Sequence, residues 1–261
     1  MTNRGRLAIY LQLSALSIYL YIGMNYFEFP RRSNQLIFLV LYGMIYDLAA
    51  ARLIKGFWKW PLTGAISSMA IFILVQSISL QSYLVAITIA LTTKYVFTLV
   101  DRHVFNPANI GVICALTFFR NDVALIASQW TVDFYHIAIA MTLGGMACFL
   151  AGRATVGLAY VGTFFLLGVV RMIIFDGHLL FYIGPLITMA GVIFQFHMIT
   201  DPRTTPDDRY GQVAFGASVA LLDVLLRTFQ VLHSPFLSLA IVSSLQPLFF
   251  LRFYLREARA I

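Results

Sequence analysis

Two short polar phrases interrupt an otherwise apolar chain, and each combines hydrogen-bonding side chains with proline. Residues 105–111 read Phe-Asn-Pro-Ala-Asn-Ile-Gly, and residues 198–206 read Met-Ile-Thr-Asp-Pro-Arg-Thr-Thr-Pro. Proline lacks an amide hydrogen and cannot continue a helix, so we predict that a helix begins, breaks or ends at each phrase. Inside a membrane the backbone groups released there need partners, and such breaks commonly line a binding site. We call these segments the Asn-Pro phrase and the Asp-Pro phrase.

The side chains near the Asn-Pro phrase could hydrogen-bond to the edge of a heterocyclic ligand. A carboxamide both donates and accepts hydrogen bonds, which suits a ring edge with alternating donors and acceptors, such as an isoalloxazine or a uracil-like ring. The candidates are Asn106 and Asn109, together with His103, which faces the same cavity as Asn106 if the two lie on one helical turn. A structural role is also open, in which Asn106 caps a helix that starts at Pro107.

The Asp-Pro phrase offers an acceptor and several hydroxyl groups. Asp201 could accept a hydrogen bond from a ring N–H, and Thr200, Thr204 and Thr205 could supply hydroxyl donors. A plain loop, in which Asp201 caps a helix and the following proline ends one, explains the same residues equally well.

Five ionisable side chains fall inside predicted apolar segments, where the burial of a charge in hydrocarbon is costly. Each must therefore face protein, a partner or water, either as part of a proton or ion path or as half of an internal pair. They are Asp47, Lys94, Arg171, His197 and Asp223. Neither cysteine has a His or Cys neighbour at metal-ligand spacing, and the chain has no known catalytic motif, so we predict no metal site and no catalytic residue.

The composition is that of a membrane protein. Of the 261 residues, 60% are hydrophobic and 11% are charged, with a mean hydropathy of +0.84, whereas soluble domains carry about 25% charged residues. Apolar segments recur along the whole chain, so residues 1–261 are predicted to form a single integral membrane domain. The net charge of +7 is spread in small groups of basic residues, which argues against a nucleic-acid-binding protein.

Ten apolar stretches must position these side chains, and each is predicted to be a transmembrane helix. The fifth is short and starts at a proline, as expected for a half-helix. The stretches are residues 7–27, 34–52, 61–78, 81–99, 107–120, 131–151, 154–175, 179–200, 211–229 and 235–255. The predicted fold is therefore all-α, a polytopic membrane protein of about ten transmembrane helices.

Basic residues indicate the orientation, because cytoplasmic ends of helices are enriched in lysine and arginine. If the N-terminus is cytoplasmic, 13 of the 18 basic residues lie inside, and the outer side carries Arg31, Arg32, Arg120, Arg171 and Arg227. We therefore expect a multi-pass protein of a bacterial-type inner membrane, with the N- and C-termini and both phrases on the cytoplasmic side.

The two halves of the chain also show a weak internal sequence similarity. Each phrase follows a long apolar segment and precedes a segment with a glycine near its start, Gly111 or Gly211. Membrane proteins built from two repeats with broken helices show this kind of internal similarity. We therefore expect two five-helix repeats.

At the two phrases the chain resembles the NqrB/RnfD family, the membrane flavin subunits of sodium-pumping NADH:quinone oxidoreductase and of the Rnf electron-transport complex. The family's Phe-Asn-Pro-Ala phrase and glycine-bearing helix correspond to residues 105–111. Its Thr-Asp-Pro phrase, with threonines, a basic residue and a Phe-Gly-Ala helix, corresponds to residues 200–205, Arg209 and residues 215–217. The similarity extends over residues 184–254, and the compact chain looks most similar to short stand-alone members of the family.

The resemblance implies a bound flavin and a role in electron transfer. It implies a non-covalent riboflavin or FMN near the Asn-Pro phrase, with Asn106 and Asp201 matching residues of the family's phrases. His103 lies where relatives often carry asparagine. A ten-helix fold of two five-helix repeats, and a protein redox partner or further subunits of a complex, are implied as well.

The chain departs from the family at the covalent flavin site. Family members attach FMN through a phosphoester to a threonine in a Ser-Gly-Ala-Thr-like sequence, within a long outer loop after the fifth helix. Here the loop is shorter, and residues 128–131 read Ser-Gln-Trp-Thr. Thr131 is the candidate for covalent FMN, but Trp130 replaces the alanine and the upstream aspartate is missing, so we expect a non-covalent flavin.

These observations predict a membrane flavoprotein that carries electrons as a redox subunit rather than as a self-sufficient enzyme. Its electron transfer could be coupled to ion movement or serve a biosynthetic pathway. The alternative is a channel or transporter for a small polar solute, built on the same scaffold of paired broken helices.

Overall fold

A computed structural model describes residues 3–26, 33–58, 60–99, 102–125 and 134–249. Within these ranges the chain is predominantly helical, which confirms the all-α prediction. The helices of the first half are α1 (Asn3–Tyr26), α2 (Ser33–Lys55), α3 (Leu62–Leu74), α4 (Leu80–Val96) and α5 (Pro107–Phe118). Each overlaps one of the first five predicted spans.

The second half begins with two regular helices, α6 (Phe134–Leu150) and α7 (Ala154–Phe175). A broken segment follows, made of α8 (Leu179–Ile183), a 3₁₀ turn (Gly184–Ile187), α9 (Met189–Ile193) and a π-helical turn (Phe194–Met198). The described chain then continues through α10 (Arg209–Thr228) and α11 (Ser234–Phe249).

The eighth predicted span, residues 179–200, is a broken segment rather than one continuous helix. Residues 179–187 and 189–198 are bent by 58° relative to each other. Thr188 has an extended backbone, and its hydroxyl accepts a hydrogen bond from the Gly191 amide at 3.0 Å, so it starts a new helix. The side chain of Gln195 donates to the Leu186 carbonyl at 2.7 Å, which satisfies one backbone group released by the break.

Two short antiparallel strand pairs also shorten the predicted helices. Strand β1 (Val75–Ser77) pairs with β4 (Val123–Leu125), so the third helix ends at Leu74 rather than near residue 78. Strand β2 (Thr98–Leu99) pairs with β3 (Arg102–His103), so the fourth helix ends at Val96 rather than near residue 99. The strand hydrogen bonds give partners to backbone groups next to the helix ends.

Several described helices are long and apolar enough to cross a membrane. There are four of them within the described ranges, namely Arg6–Asn25, Ser33–Lys55, Ala154–Phe175 and Arg209–Thr228, and the bent segment makes a fifth if it counts as one span. Four shorter apolar helices accompany them, within α3, α5, α6 and α11. The chain is therefore a helical membrane protein, and the count of ten spans stays a prediction.

The helices pack in two similar sets. Helix α2 packs on α3 and α4, α4 packs on α5, and, in the second half, α7 packs on α10 and α10 on α11. Helix α1 contacts α6, and α5 contacts α11, which joins the halves. Close approach depends on small residues at these contacts, because a Cβ at Gly111 would clash with Ile71 and one at Gly216 would clash with the Val156 carbonyl.

Candidate functional site

The Asn-Pro and Asp-Pro phrases lie side by side, although the residues that contact each other are more than 90 positions apart in the chain. The Asn106 carboxamide nitrogen donates to the Met198 carbonyl at 3.2 Å and lies 3.3 Å from an Asp201 carboxylate oxygen. The same Asp201 oxygen lies 3.0 Å from Nε2 of His103. The structure therefore joins His103, Asn106 and Asp201 in one hydrogen-bonded cluster.

Asn106 also has the structural role that its sequence context allowed. Its Oδ1 accepts a hydrogen bond from the Asn109 amide at 3.0 Å, and α5 begins at the next residue, Pro107. The residue is therefore the N-cap of α5 while its Nδ2 reaches the Asp-Pro phrase. His103 reaches the cluster from strand β3 and not from a helical turn shared with Asn106, yet both side chains meet the same Asp201 oxygen.

Asn109 lies deeper in the protein and faces α11 rather than Asp201. Its side chain is 1% exposed, and its Nδ2 donates to the Phe236 carbonyl at 2.9 Å. Its Oδ1 is buried and has no hydrogen-bond partner within the described part of the chain. An unused acceptor in a buried position is costly, so Asn109 is the candidate residue with hydrogen-bonding capacity still available.

The threonines of the Asp-Pro phrase are buried and hydrogen-bonded to the backbone. The hydroxyls of Thr204 and Thr205 donate to the Asp201 carbonyl at 3.2 and 2.9 Å, and the amides of both residues donate to the same oxygen. The Thr200 hydroxyl donates to the Phe196 carbonyl at 2.6 Å. Asp201 itself accepts from the Arg203 amide at 2.9 Å. These bonds stabilise a compact loop and commit the hydroxyls to it.

Two arginines that the sequence analysis did not select hold this loop in place. Arg102 donates to Asp207 and to the carbonyls of Pro202 and Thr205, each at 2.7 Å. Arg153 donates to the other Asp207 carboxylate oxygen in a close contact and to the Pro202 carbonyl at 3.3 Å. The signal in the sequence was the acidic pair at 207–208, which needed partners from elsewhere in the chain.

Nearby charges favour the ionised form of both loop carboxylates. Burial by itself raises the pKa of Asp201, but the charge and hydrogen bond of His103, with the Arg203 amide and charge, lower it below its ordinary value. Burial likewise opposes ionisation of Asp207, and the bonds and charges of Arg102 and Arg153 outweigh it, so its pKa is also lowered. Both loop carboxylates are therefore ionised at neutral pH.

An open depression of about 380 Å³ lies beside the cluster. Its volume is within the range of small-molecule pockets, about 300–1,000 Å³. The rings of Phe97 and Phe105 meet edge to face across it, with their centroids 5.8 Å apart. The lining residues are Val96, Phe97, Thr98, Leu99, Val104, Phe105 and Ser244. Asn106 and Asp201 are in direct contact with each other, and neither side chain is part of this lining.

The aspartates within the apolar helices are internally paired. Asp47 and Lys94 form a salt bridge of 2.7 Å, with side-chain exposures of 0% and 9%. Asp223 and Arg227 form another, at 3.0 Å, within one helix. The sequence left open either a proton or ion path or internal pairing for these residues, and the geometry matches internal pairing.

His197 and Arg171 have different surroundings. His197 is 5% exposed, its Nε2 lies 3.3 Å from the Tyr19 hydroxyl, and its Nδ1 has no hydrogen-bond partner within the described ranges. The Arg171 guanidinium lies over the Tyr182 ring, 4.8 Å from its centroid. Thr131 falls outside the described residues.

No protein-family model matches this chain, and no curated protein sequence matches it.

Proposed function

We propose that this chain is a membrane flavoprotein that carries electrons, similar to the NqrB/RnfD subunits it resembles at the two phrases. The observation that carries the proposal is the direct contact between these phrases, which places Asn106 and Asp201 next to an aromatic-lined depression. In this proposal a non-covalent riboflavin or FMN lies in the depression. The flavin supplies the redox chemistry when bound, and the protein positions it.

Each part of the proposed site has a separate task. Phe105 packs against one face or edge of the ring system, since aromatic rings attract each other beyond their buried area. The hydroxyls of Thr98 and Ser244 supply hydrogen-bonding groups in the lining. The cluster of His103, Asn106 and Asp201 fixes the hairpin of β2 and β3 against the Asp-Pro phrase, so the shape of the depression depends on it.

We further propose that the chain consists of two five-helix repeats with ten membrane segments and cytoplasmic termini. The packing supports this, because α2 on α4 corresponds to α7 on α10, and α4 on α5 corresponds to α10 on α11. The contacts of α1 with α6 and of α5 with α11 are those expected between equivalent helices beside a twofold axis. A reporter fused at either terminus tests the orientation, and periplasmic reporter activity at both ends would contradict it.

Purified protein from a flavin-replete host tests the proposed cofactor. We expect visible flavin absorbance and fluorescence that disappear from the protein after denaturation and appear in the released fraction. Phe105→Ala should reduce the flavin content several-fold. The matched control is Phe118→Ala, because Phe118 lies at the far end of α5, is 67% exposed and does not line the depression.

Three outcomes of this experiment would change or contradict the proposed flavin site. Fluorescence that stays on the denatured chain would assign FMN to a covalent site, with Thr131→Ala as the variant that removes it. Folded wild-type protein that is colourless and does not quench added riboflavin would contradict the flavin proposal. Equal flavin content in the Phe105 and Phe118 variants would place the flavin elsewhere.

A transporter or channel is the second candidate, and the broken segment between α8 and the π-helical turn favours it. The 58° bend brings non-helical backbone and the buried, partly unpartnered side chains of Gln195 and His197 into the protein interior. Membrane transporters bind solutes at such breaks. Proteoliposomes without any redox partner should then swell in isosmotic glycerol or urea, and swelling equal to that of empty liposomes would exclude these solutes.

A further inference from the structure

Arg171 is a charged residue inside an apolar helix, and no carboxylate among the described residues forms an ion pair with it. It belongs to α7, which is a candidate membrane span from Ala154 to Phe175. Its Nε is buried and has no hydrogen-bond partner within the described part of the chain. Its guanidinium carbon lies 4.8 Å from the centroid of the Tyr182 ring. An arginine in this position needs a counter-charge, because an uncompensated ion in hydrocarbon is expensive.

The Asp223 carboxylate on α10 is already paired with other residues. The Asp223 carboxylate is fully buried and accepts hydrogen bonds from Nε of Arg227 at 3.0 Å and from the Tyr160 hydroxyl at 2.8 Å. Arg171 lies two helical turns beyond Phe164, over whose ring the Arg227 guanidinium lies, and the charges of Asp223 and Arg227 reach the Arg171 guanidinium, so we treat the three residues as one group. Two cations and one anion leave this group with an excess positive charge.

The group lies at the end of the helices that is remote from the two phrases. Helix α7 starts beside Arg153, which contacts the Asp-Pro phrase, and Arg171 follows 18 residues later, about 27 Å along the axis. Gly216 lies against Val156 and Arg227 lies over Phe164, so α7 and α10 run in the same direction. Both arginines are therefore near the C-terminal ends of parallel helices.

An arginine in an apolar helix can be stabilised in two ordinary ways, and both fit Arg227 better than Arg171. A cation in the last turn of a helix is stabilised by the helix dipole, and Arg227 lies in the last turn of α10. A long side chain can also extend its charge to the membrane surface. The guanidinium of Arg171 instead lies over Tyr182, which is 6% exposed and therefore faces the interior of the protein.

We propose that Arg171, with Arg227 beside it, binds a phosphate-type oxyanion at this end of the protein. The guanidinium fork is the side chain best suited to such oxyanions, because it donates two parallel hydrogen bonds. An oxyanion would neutralise the excess charge of the group. Arg171 lies about one helical turn from the end of α7, a depth that both a lipid phosphate and a soluble phosphate can reach.

Reconstitution into nanodiscs separates the two sources of phosphate. One set of discs contains phosphatidylcholine alone and receives inorganic phosphate, and the other contains phosphatidylglycerol without added phosphate. We expect at least one of them to raise the unfolding temperature of the wild-type protein. Arg171→Gln should reduce the apparent affinity for that probe at least tenfold, since it removes the charge and the fork.

Arg120→Gln is the matched control, because Arg120 is an exposed arginine outside this group. A response to inorganic phosphate alone identifies a soluble ligand, and a response to phosphatidylglycerol alone identifies a lipid headgroup. The proposal is wrong if wild type responds to neither probe, or if Arg171→Gln and Arg120→Gln respond equally. Should Arg171→Gln fail to fold, Arg171→Lys replaces it, and a several-fold loss is expected because lysine keeps the charge but not the fork.

Discussion

Asp47 and Asp223 are both completely buried in apolar helices, yet different elements neutralise them. Asp47 on α2 accepts from Lys94 at 2.7 Å and from Tyr95 at 2.6 Å, both on α4, and from Thr63 on α3 at 2.8 Å. Asp223 on α10 receives its cation from the same helix, four residues later. The first carboxylate therefore binds three helices together, whereas the second is mainly neutralised locally.

This difference shows how one type of buried charge can have two structural roles. A carboxylate bonded across helices contributes to tertiary structure, and the loss of one partner strands the other in a buried position. A carboxylate paired within a helix lowers the cost of placing that helix in the membrane. It does not hold the neighbouring helices together, so their side chains can make other contacts. In this protein Asp223 pairs with Arg227, and Arg171 forms no ion pair within the described ranges, which is the basis of the proposed oxyanion site.

Replacement of Asp47 should have the largest effect on stability. Asp47→Ala leaves the Lys94 ammonium in a buried position without its carboxylate, and we expect a loss of about 3–5 kcal/mol in the free energy of unfolding. Equilibrium unfolding in mixed detergent micelles measures it. Asp122→Ala is the control, because Asp122 is an exposed aspartate. Similar unfolding of the two variants would contradict the cross-helix role.

A double replacement tests whether the charge itself is required. Asp47→Leu combined with Lys94→Met removes both charges and fills the space with apolar atoms, which often preserves stability in proteins. We expect the double variant to recover most of the stability that Asp47→Ala loses. A double variant as unstable as Asp47→Ala would show that the hydrogen bonds to Tyr95 and Thr63 matter more than charge balance.

Replacement of Asp223 should cost less. In Asp223→Asn, the amide oxygen still accepts from Tyr160, and Arg227, whose side chain is 26% exposed, can turn towards solvent. We expect a loss of about 1.5–3 kcal/mol, the value for a hydrogen bond to a charged group. The same unfolding assay applies, and a loss equal to that of Asp47→Ala would remove the distinction between the two aspartates.

The contact between the two phrases, like the pairing of Asp47, joins distant parts of the chain. Its loss should cost less stability than the loss of Asp47. Asn106→Ala removes both the cap of α5 and the bond to the Met198 carbonyl, and we expect a loss of about 1–2 kcal/mol. Asn106→Ser keeps a capping hydroxyl, but the shorter side chain cannot reach the Met198 carbonyl. The stability lost in this variant therefore measures the contact between the phrases alone. If serine restores full stability, the cross-phrase bond contributes nothing.

The smallest expected effect is the acid dependence contributed by Asp201. Because the pKa of Asp201 is lowered in the folded protein, its contribution is fully present above its ordinary value of 3.8 and is lost as the pH falls through the lowered value. Unfolding of wild type and Asp201→Asn should therefore differ most at neutral pH and converge in strong acid. A constant difference across the range would contradict an ionised Asp201.

Local patterns in the sequence predicted the helices well, because hydrophobic length and proline position act within a segment. They predicted Pro107 as the start of α5 and the N-cap role open to Asn106. They missed the strand pair of Val75–Ser77 with Val123–Leu125, since pairing between short distant segments leaves no periodic signal. They also missed the contact of Arg102 and Arg153 with Asp207, which depends on how the halves pack.

The contact between the two phrases has a different physical basis. Both contain polar groups that a membrane protein must satisfy, and the simplest partners are each other. The side chains that meet, His103, Asn106 and Asp201, were all among the candidates. The depression beside Phe105 could not be predicted, because its shape follows from the β2–β3 hairpin and the position of α11.

The separation of Asn106 and Asp201 in the chain imposes an order on biosynthesis. The two residues are 95 positions apart. At about 5–20 residues per second, the ribosome needs roughly 5–20 s to reach Asp201 after Asn106 has been made. During that interval the first phrase exists without its partner, and water or other groups must satisfy its polar atoms. The contact of Asn106 with Met198 and Asp201 can form only after the Asp-Pro phrase has been made.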